Sequence, residues 1–232
     1  MPTAKQATMP DENGPSKKLG FFLKNIIFTA MNFRLIYRFD VSMRIKKEFE
    51  SEISAMKEIN KKRTESPIYR NNYNMQYRSG LFIYNQVRNR KPSIVIETGV
   101  ANGFSTRLIL SAMNRNRKGT LYSTEISGKV GYLLDGVERG RWRLKTGKNR
   151  AVFLSAISKL EKVDVFLHDS DHSYENMMFE FENILPKMAK GSIVMSDDVN
   201  TNSAFIEFSK KCNAKPKIIP GVRRAFGFFE VN

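Results

Sequence analysis

Apolar residues recur along this chain with two different periods, and the change between them falls at Pro92. Before it, Val41, Ile45, Phe49, Ile53 and Met56 are spaced by fours and a three with Lys, Arg and Glu between them, which predicts an amphipathic helix from Val41 to about Lys62. The charged run KKRTESP, closed by Pro67, ends it. SGLFIYNQVRNR, residues 79 to 90, predicts a second helix entered at Ser79 and stopped before Pro92. Upstream, GFFLKNIIFTAMNFRLIYRF (20 to 39) is the most apolar run in the chain. Lys24, Arg34 and Arg38 interrupt it, so no uncharged stretch reaches the roughly 20 residues a bilayer span needs. Such a segment packs on its own domain, packs on a twin subunit, or lies on a membrane surface with its basic side chains toward the headgroups.

After Pro92, short apolar runs alternate with helical ones. SIVIETG, GTLYSTEI, RWRLKTG, VDVFLHDSD and GSIVMSDDV predict five strands, with helices at STRLILSAMNRN, AVFLSAISKL and YENMMFEFENILPKM. This alternation means βαβ units and a parallel sheet covered on both faces. PKIIP and AFGFFEV are close enough to add two final strands as an antiparallel hairpin. The expected fold class is α/β, a Rossmann-like seven-stranded and mostly parallel sheet with a helical region before it. The expected organisation is a flexible tail over residues 1–19, a helical region over 20–91 and a cofactor-binding domain over 92–232. The tail, rich in Pro, Gly, Lys and small polar residues, has no apolar period and lacks the apolar core of a secretory signal.

Composition narrows the surroundings. The chain has 232 residues and is 41% hydrophobic, enough for one domain with a substantial core. Cys212 is its one cysteine, which excludes an intramolecular disulfide and fits a reducing, cytoplasmic setting. The net charge of +16 attracts polyanions, so RNA, DNA, acidic glycans and anionic membranes are admissible partners. The basic clusters are scattered, however, and none is interleaved with aromatics in a nucleic-acid-binding pattern, so a solvated basic surface is expected instead.

The stretch VIETGVANGFST, residues 95 to 106, carries the first candidate chemistry. It closes the first strand, and ligands of open parallel sheets sit beyond the carboxyl ends of the strands. Gly99 and Gly103 make ExGxxxG instead of GxGxxG, and no Walker lysine follows. A carboxylate at the turn, Glu97, repels phosphate and favours an ammonium or sulfonium. Glu125 ends the second strand 22 residues past Gly103, near the position, about 20 residues on, at which an acid accepts ribose hydroxyls. Together these features describe a site for S-adenosylmethionine (SAM).

VIETGVANGFST, VGYLLDGVERGRW, HDSDHSYENMMFE and GSIVMSDDVN, taken in order, resemble the class I SAM-dependent methyltransferases from about Ser93 to Asn232. Within that class the chain resembles the sugar-hydroxyl O-methyltransferase group that includes macrocin O-methyltransferase. On this resemblance Glu97, Gly99, Gly103, Ser105, Thr106, Glu125, Asn149 and Asp169 form the cofactor side. One departure is visible: relatives carry an acid after glycine beyond the third strand, near the adenine, where this chain has Gly147, Lys148 and Asn149. Asn149 or backbone carbonyls would then serve the adenine amino group.

Both histidines, His168 and His172, lie in HDSDH at the end of the fourth strand, and Asp197 and Asp198 close the fifth. Three carboxylates, Asp169, Asp197 and Asp198, meeting at one sheet edge must share a proton or a cation. All-oxygen ligands suit Mg²⁺ or Ca²⁺, Mg²⁺ being the simpler choice; zinc on His168 and His172 is the weaker alternative. The resemblance implies that Asp169, Asp197 and Asp198 hold a divalent metal and that His172 is the general base. His172 could instead belong to the cap of the next helix, with Asp171 or Ser173 sharing that job, while His168 is expected in the core. The reaction implied is methyl transfer from SAM to a hydroxyl of a sugar or other small polyol; the alternatives are metal-independent transfer to an amine or RNA, and a noncatalytic binding protein on the same fold. A small-molecule or glycan acceptor, a homo-oligomer and peripheral membrane contact are the partners left open.

Overall fold

The computed structural model describes residues 15–63, 74–147 and 150–232. Helix α1 spans Pro15–Met31, α2 Met43–Lys62 and α3 Tyr77–Arg90; then β1 (Ile94–Thr98), α4 (Phe104–Asn116), β2 (Thr120–Glu125), β3 (Trp142–Thr146), α5 (Arg150–Ile157), β4 (Val163–His168), α6 (Tyr174–Ile184), β5 (Met188–Ser196), α7 (Ala204–Lys211), β6 (Lys217–Pro220) and β7 (Ala225–Glu230) follow. The strands form one seven-stranded sheet in the order β3-β2-β1-β4-β5-β7-β6. β1 to β5 pair in parallel, and β7 is antiparallel to both β5 and β6. The strand order reverses between β1 and β4, so the crevice that accepts ligands in this architecture opens at their carboxyl ends.

The period-2 alternation of β1 and β4 sorts the core into two layers. Val95, Val165 and Leu167 join Phe49, Ile53, Phe82, Leu108 and Met113 on one face. Ile96 and Phe166 join Phe153, Met177, Phe181, Phe205 and Phe208 on the other. Helices α2 and α3 thus share a core with the sheet. Ile45, Phe49, Ile53 and Met56 are the buried stripe of α2, while Val41 lies just ahead of the helix, partly buried. Ser42 caps α2 by accepting from the Ile45 amide at 3.4 Å.

Several element boundaries differ from expectation. Residues 15–19, expected in the tail, begin α1, since proline is tolerated in a first helical turn, where its missing N–H costs nothing. α3 starts at Tyr77, so Ser79 is inside its first turn and buried. β5 begins at Met188, ahead of the predicted start. The Pro67 helix break and the rest of the expected tail lie outside the described residues. The chain following α1 covers the sheet's edge, with Ile36 bridging Ile218 of β6 and the Tyr37 amide donating to the Ile218 carbonyl at 2.7 Å.

Candidate active site

One rung of the sheet fixes the site. Thr124, Thr98, His168 and Ser196 stand side by side on β2, β1, β4 and β5. Each strand's next residue therefore emerges at the same height, which places Glu125, Gly99, Asp169 and Asp197 in a row. Backbone bonds extend the ladder one step past the strands: Gly99 donates to Thr124, Asp169 to Thr98 and Asp197 to His168, at 2.9, 2.9 and 3.0 Å. Three acids thus reach one crest in a chain whose net charge is +16.

The turn after β1 requires its glycines. Gly99 has φ +82, and a Cβ there would run into the carbonyl of Asp169. Gly103 has φ +88, and a Cβ there would come within 2.9 Å of the Gly131 Cα. Beyond it α4 begins.

Glu97 is corrected in position. Expected to face a cation, it is fully buried beneath the turn, on the same face of β1 as Val95. Alternation aims it under the first turn of α4, where Ser105 Oγ donates at 2.6 Å and Thr106 Oγ1 at 2.8 Å. Ser123, its partner on β2, donates at 2.7 Å and accepts from Trp142 Nε1 at 2.9 Å. Burial outweighs these bonds and, with the charge of Glu125, pushes the Glu97 carboxyl up to about 7. Ser105 and Thr106 therefore serve Glu97 in this arrangement and hold the turn from below.

Glu125 lies at the mouth of the same turn, half-buried. Its Oε2 accepts from the amides of Val100 and Ala101, each at 2.9 Å, and its Oε1 from the Ile126 amide at 2.6 Å. The acid expected to read ribose is thus fixed beside the glycine turn. Asn149 and Lys148 lie outside the described residues.

Across the crevice the acids crowd one another. Burial, followed by the charges of Asp197, Asp198 and Glu97, pushes the Asp169 carboxyl well above its usual range. Burial and the neighbouring Asp198 raise Asp197 to about 8, and Asp197 Oδ1 is buried without a hydrogen-bond partner. Arg224, from the β6–β7 turn, places Nη1 3.0 Å from Asp198 Oδ2. His172 Nε2 stands 3.8 Å from Asp169 Oδ1 and 3.7 Å from Asp198 Oδ2, beyond direct hydrogen bonding. Burial, with the nearby charges of His168 and Arg224, holds the imidazole well below its ordinary pKa, which favours its neutral form. The cap of α6 falls to Ser173, which accepts from the Asn176 amide at 3.3 Å, with Asp171 supporting it.

The donor chemistry of Asp169, Asp197 and Asp198 fits a hard divalent cation: oxygen ligands, mutual repulsion and an orphaned Asp197 oxygen. Their present spacing does not complete a ligand set, because among the described residues no three His, Cys, Asp or Glu side chains converge as a metal site.

A buried acid missed by sequence reasoning supports the rung from below. Glu180 of α6 takes His168 Nδ1 at 2.7 Å, Thr98 Oγ1 at 2.7 Å, Ser170 Oγ at 2.8 Å and Asn176 Nδ2 at 3.1 Å. Burial opposes its charge, but His168 and these donors outweigh it and keep the carboxyl low. The available signal was an acid on the face of Met177, Phe181 and Ile184, all buried. Arg224 and Ser123 gave no local signal.

Residues 96–199 match the family model described as a methyltransferase domain. No curated protein sequence matches the chain. Among solved structures it is similar to an O-methyltransferase from Bacillus cereus in complex with S-adenosylhomocysteine (SAH), with 18% identity, TM-score 0.57 and coverage of 93% of this chain and 100% of that one. It is also similar to the O-methyltransferase TomG from Streptomyces achromogenes, involved in tomaymycin synthesis and in complex with SAM, with 14% identity, TM-score 0.58 and coverage of 93% and 99%. An SAH-bound methyltransferase from Podospora anserina shares 12% identity at TM-score 0.57, covering 84% and 99%. At these identities the likeness is one of fold, and the fold is the Rossmann-like methyltransferase fold.

Proposed function

We propose that the chain is a SAM-dependent O-methyltransferase acting on a hydroxyl of a sugar or other small polyol, assisted by a divalent cation. The observation that carries this reading is the acidic crest, in which Glu125, Asp169 and Asp197 stand at one height at the ends of β2, β4 and β5, on either side of the glycine turn that leaves β1. The crest lies at the strand-order reversal of a fold shared with SAM- and SAH-bound enzymes, and a bound cation, sulfonium or metal, would favour the ionised forms of its crowded carboxyls. Gly99 and Gly103 let the turn approach the cofactor closely, Glu125 is placed for ribose hydroxyls, and Glu97 with Ser105, Thr106 and Ser123 keeps the turn in shape.

His172 takes the acceptor's proton at one of its imidazole nitrogens, its neutral form being favoured by burial. Asp169, Asp197 and Asp198 would hold the cation, which when bound lowers the pKa of a coordinated hydroxyl. Transfer then requires the acceptor oxygen to be held in line with the methyl donor.

The ion pair of Arg224 with Asp198 favours a second reading, methyl transfer without metal, since a guanidinium already offsets part of the acidic charge. One screen separates the two: transfer of tritiated methyl from SAM to glycans, small polyols, phenols, amines and RNA, with Mg²⁺ or with EDTA. The first reading expects labelling of a hydroxyl acceptor that EDTA abolishes, together with Mg²⁺-dependent thermal stabilisation that Asp197→Asn removes. Labelling that persists in EDTA selects the second.

A further inference from the structure

We propose that the outward face of α1 docks on an anionic phospholipid surface. Leu19, Phe22, Leu23, Ile26 and Ile27 recur at helical spacing and are all exposed. Met31 and Phe33 continue the ridge at 79% and 64% exposure. The inward side holds Asn25, 3% exposed, whose Nδ2 donates to the Gly221 carbonyl at 2.9 Å, and Phe28, packed on the core. This arrangement inverts that of a helix covering a core: the amide is buried and the aliphatic side chains face water. Single exposed apolar residues are ordinary on protein surfaces, but a continuous ridge over more than two turns marks a docking face.

Charge identifies the occupant. Residues 15–39 contain Lys17, Lys18, Lys24, Arg34 and Arg38 and no Asp or Glu, in a chain of net charge +16. A second copy would bring the same positive ridge against this one, whereas lipid phosphates attract it. No described helix is long and apolar enough to cross a membrane, so α1 lies in the interfacial plane with its apolar side chains at the acyl boundary. Asn25 ties α1 to Gly221, in the same turn that carries Arg224 to Asp198. Docking α1 therefore brings the acidic end of the sheet close to the lipid surface, whatever chemistry occurs there.

The test is co-sedimentation of the full chain with vesicles of phosphatidylcholine alone and of equal parts phosphatidylcholine and phosphatidylglycerol. Binding to the anionic vesicles only, weakened by salt, is expected. Leu23→Ser with Ile27→Ser should weaken it by more than about a hundredfold, since each side chain loses most of its transfer into the acyl boundary. Lys24→Ala with Arg34→Ala should weaken it by about thirtyfold, at roughly fivefold per charge. All four side chains are exposed, and unchanged urea midpoints would confirm that both variants fold. Failure to bind anionic vesicles, equal binding to neutral ones, or binding that survives both pairs of changes overturns the proposal. So does a stable dimer in sedimentation equilibrium that Leu23→Ser with Ile27→Ser dissociates, in the absence of vesicle binding, which would assign the ridge to a second copy.

Discussion

His168 Nδ1 lies 2.7 Å from a carboxylate oxygen of Glu180, with both side chains buried. The pair joins β4 to α6 directly beneath the site, and Thr98 and Ser170 donate to the same carboxylate. Glu180→Ala strands the buried donors of His168 and Thr98 and should cost about 3 kcal/mol or more in urea unfolding. Glu180→Gln keeps the shape and part of the bonding and should cost clearly less. Equal losses for the two variants would show that packing alone matters there.

Gly99 tests the turn. A side chain at φ +82 costs roughly 1–2 kcal/mol from the left-handed backbone, and its collision with the Asp169 carbonyl adds about 1–3 kcal/mol. Gly99→Ala should therefore lower the unfolding free energy by several kcal/mol and disturb Asp169 at the same time. An unaltered melting temperature would remove the turn from its assigned place.

Glu97 gives a pH signature. Its folded pKa, about 7, lies above the ordinary 4.5, so the fold bears no penalty from it below pH 4.5 and an increasing one as pH rises to about 7, constant thereafter. The full penalty is about 3 kcal/mol at 1.36 kcal/mol for each pH step across that interval. Relative to Glu97→Gln, the natural protein should lose about that much stability between pH 4.5 and 7, measured by parallel urea titrations. Superimposable pH curves for the two proteins would show that the carboxyl titrates normally.

His172 bears the chemistry in the proposed reaction. His172→Ala should lower turnover by roughly a hundredfold to ten-thousandfold, the usual worth of a positioned base, while SAH affinity changes little. The two readouts separate a base from a structural residue, which would lose affinity and stability together.

The strands and the crest were legible because period-2 burial and the chain's alternation of elements are local properties. Asp169, Asp197 and Asp198 are legible at strand ends, since the apolar runs VFL and IVM lead into them with one polar residue, His168 or Ser196, between. The direction of Glu97 was not legible. It depends on Ser123 standing opposite it on β2 and on Ser105 and Thr106 turning back from α4, so a neighbour satisfies an acid that the sequence suggests is meant for a ligand. Arg224 was hidden for the same reason, reaching Asp198 only because β7 returns antiparallel beside β5. Pro15 did carry a local signal, that of a proline in a first helical turn, which the polar composition around it masked.

The most direct measurement is isothermal titration of the folded chain with SAH. One molecule should bind per chain, and Glu125→Ala should weaken it at least about tenfold through loss of a charge-assisted hydrogen bond. No heat with either SAH or SAM, from protein shown by circular dichroism to be folded, would contradict the account.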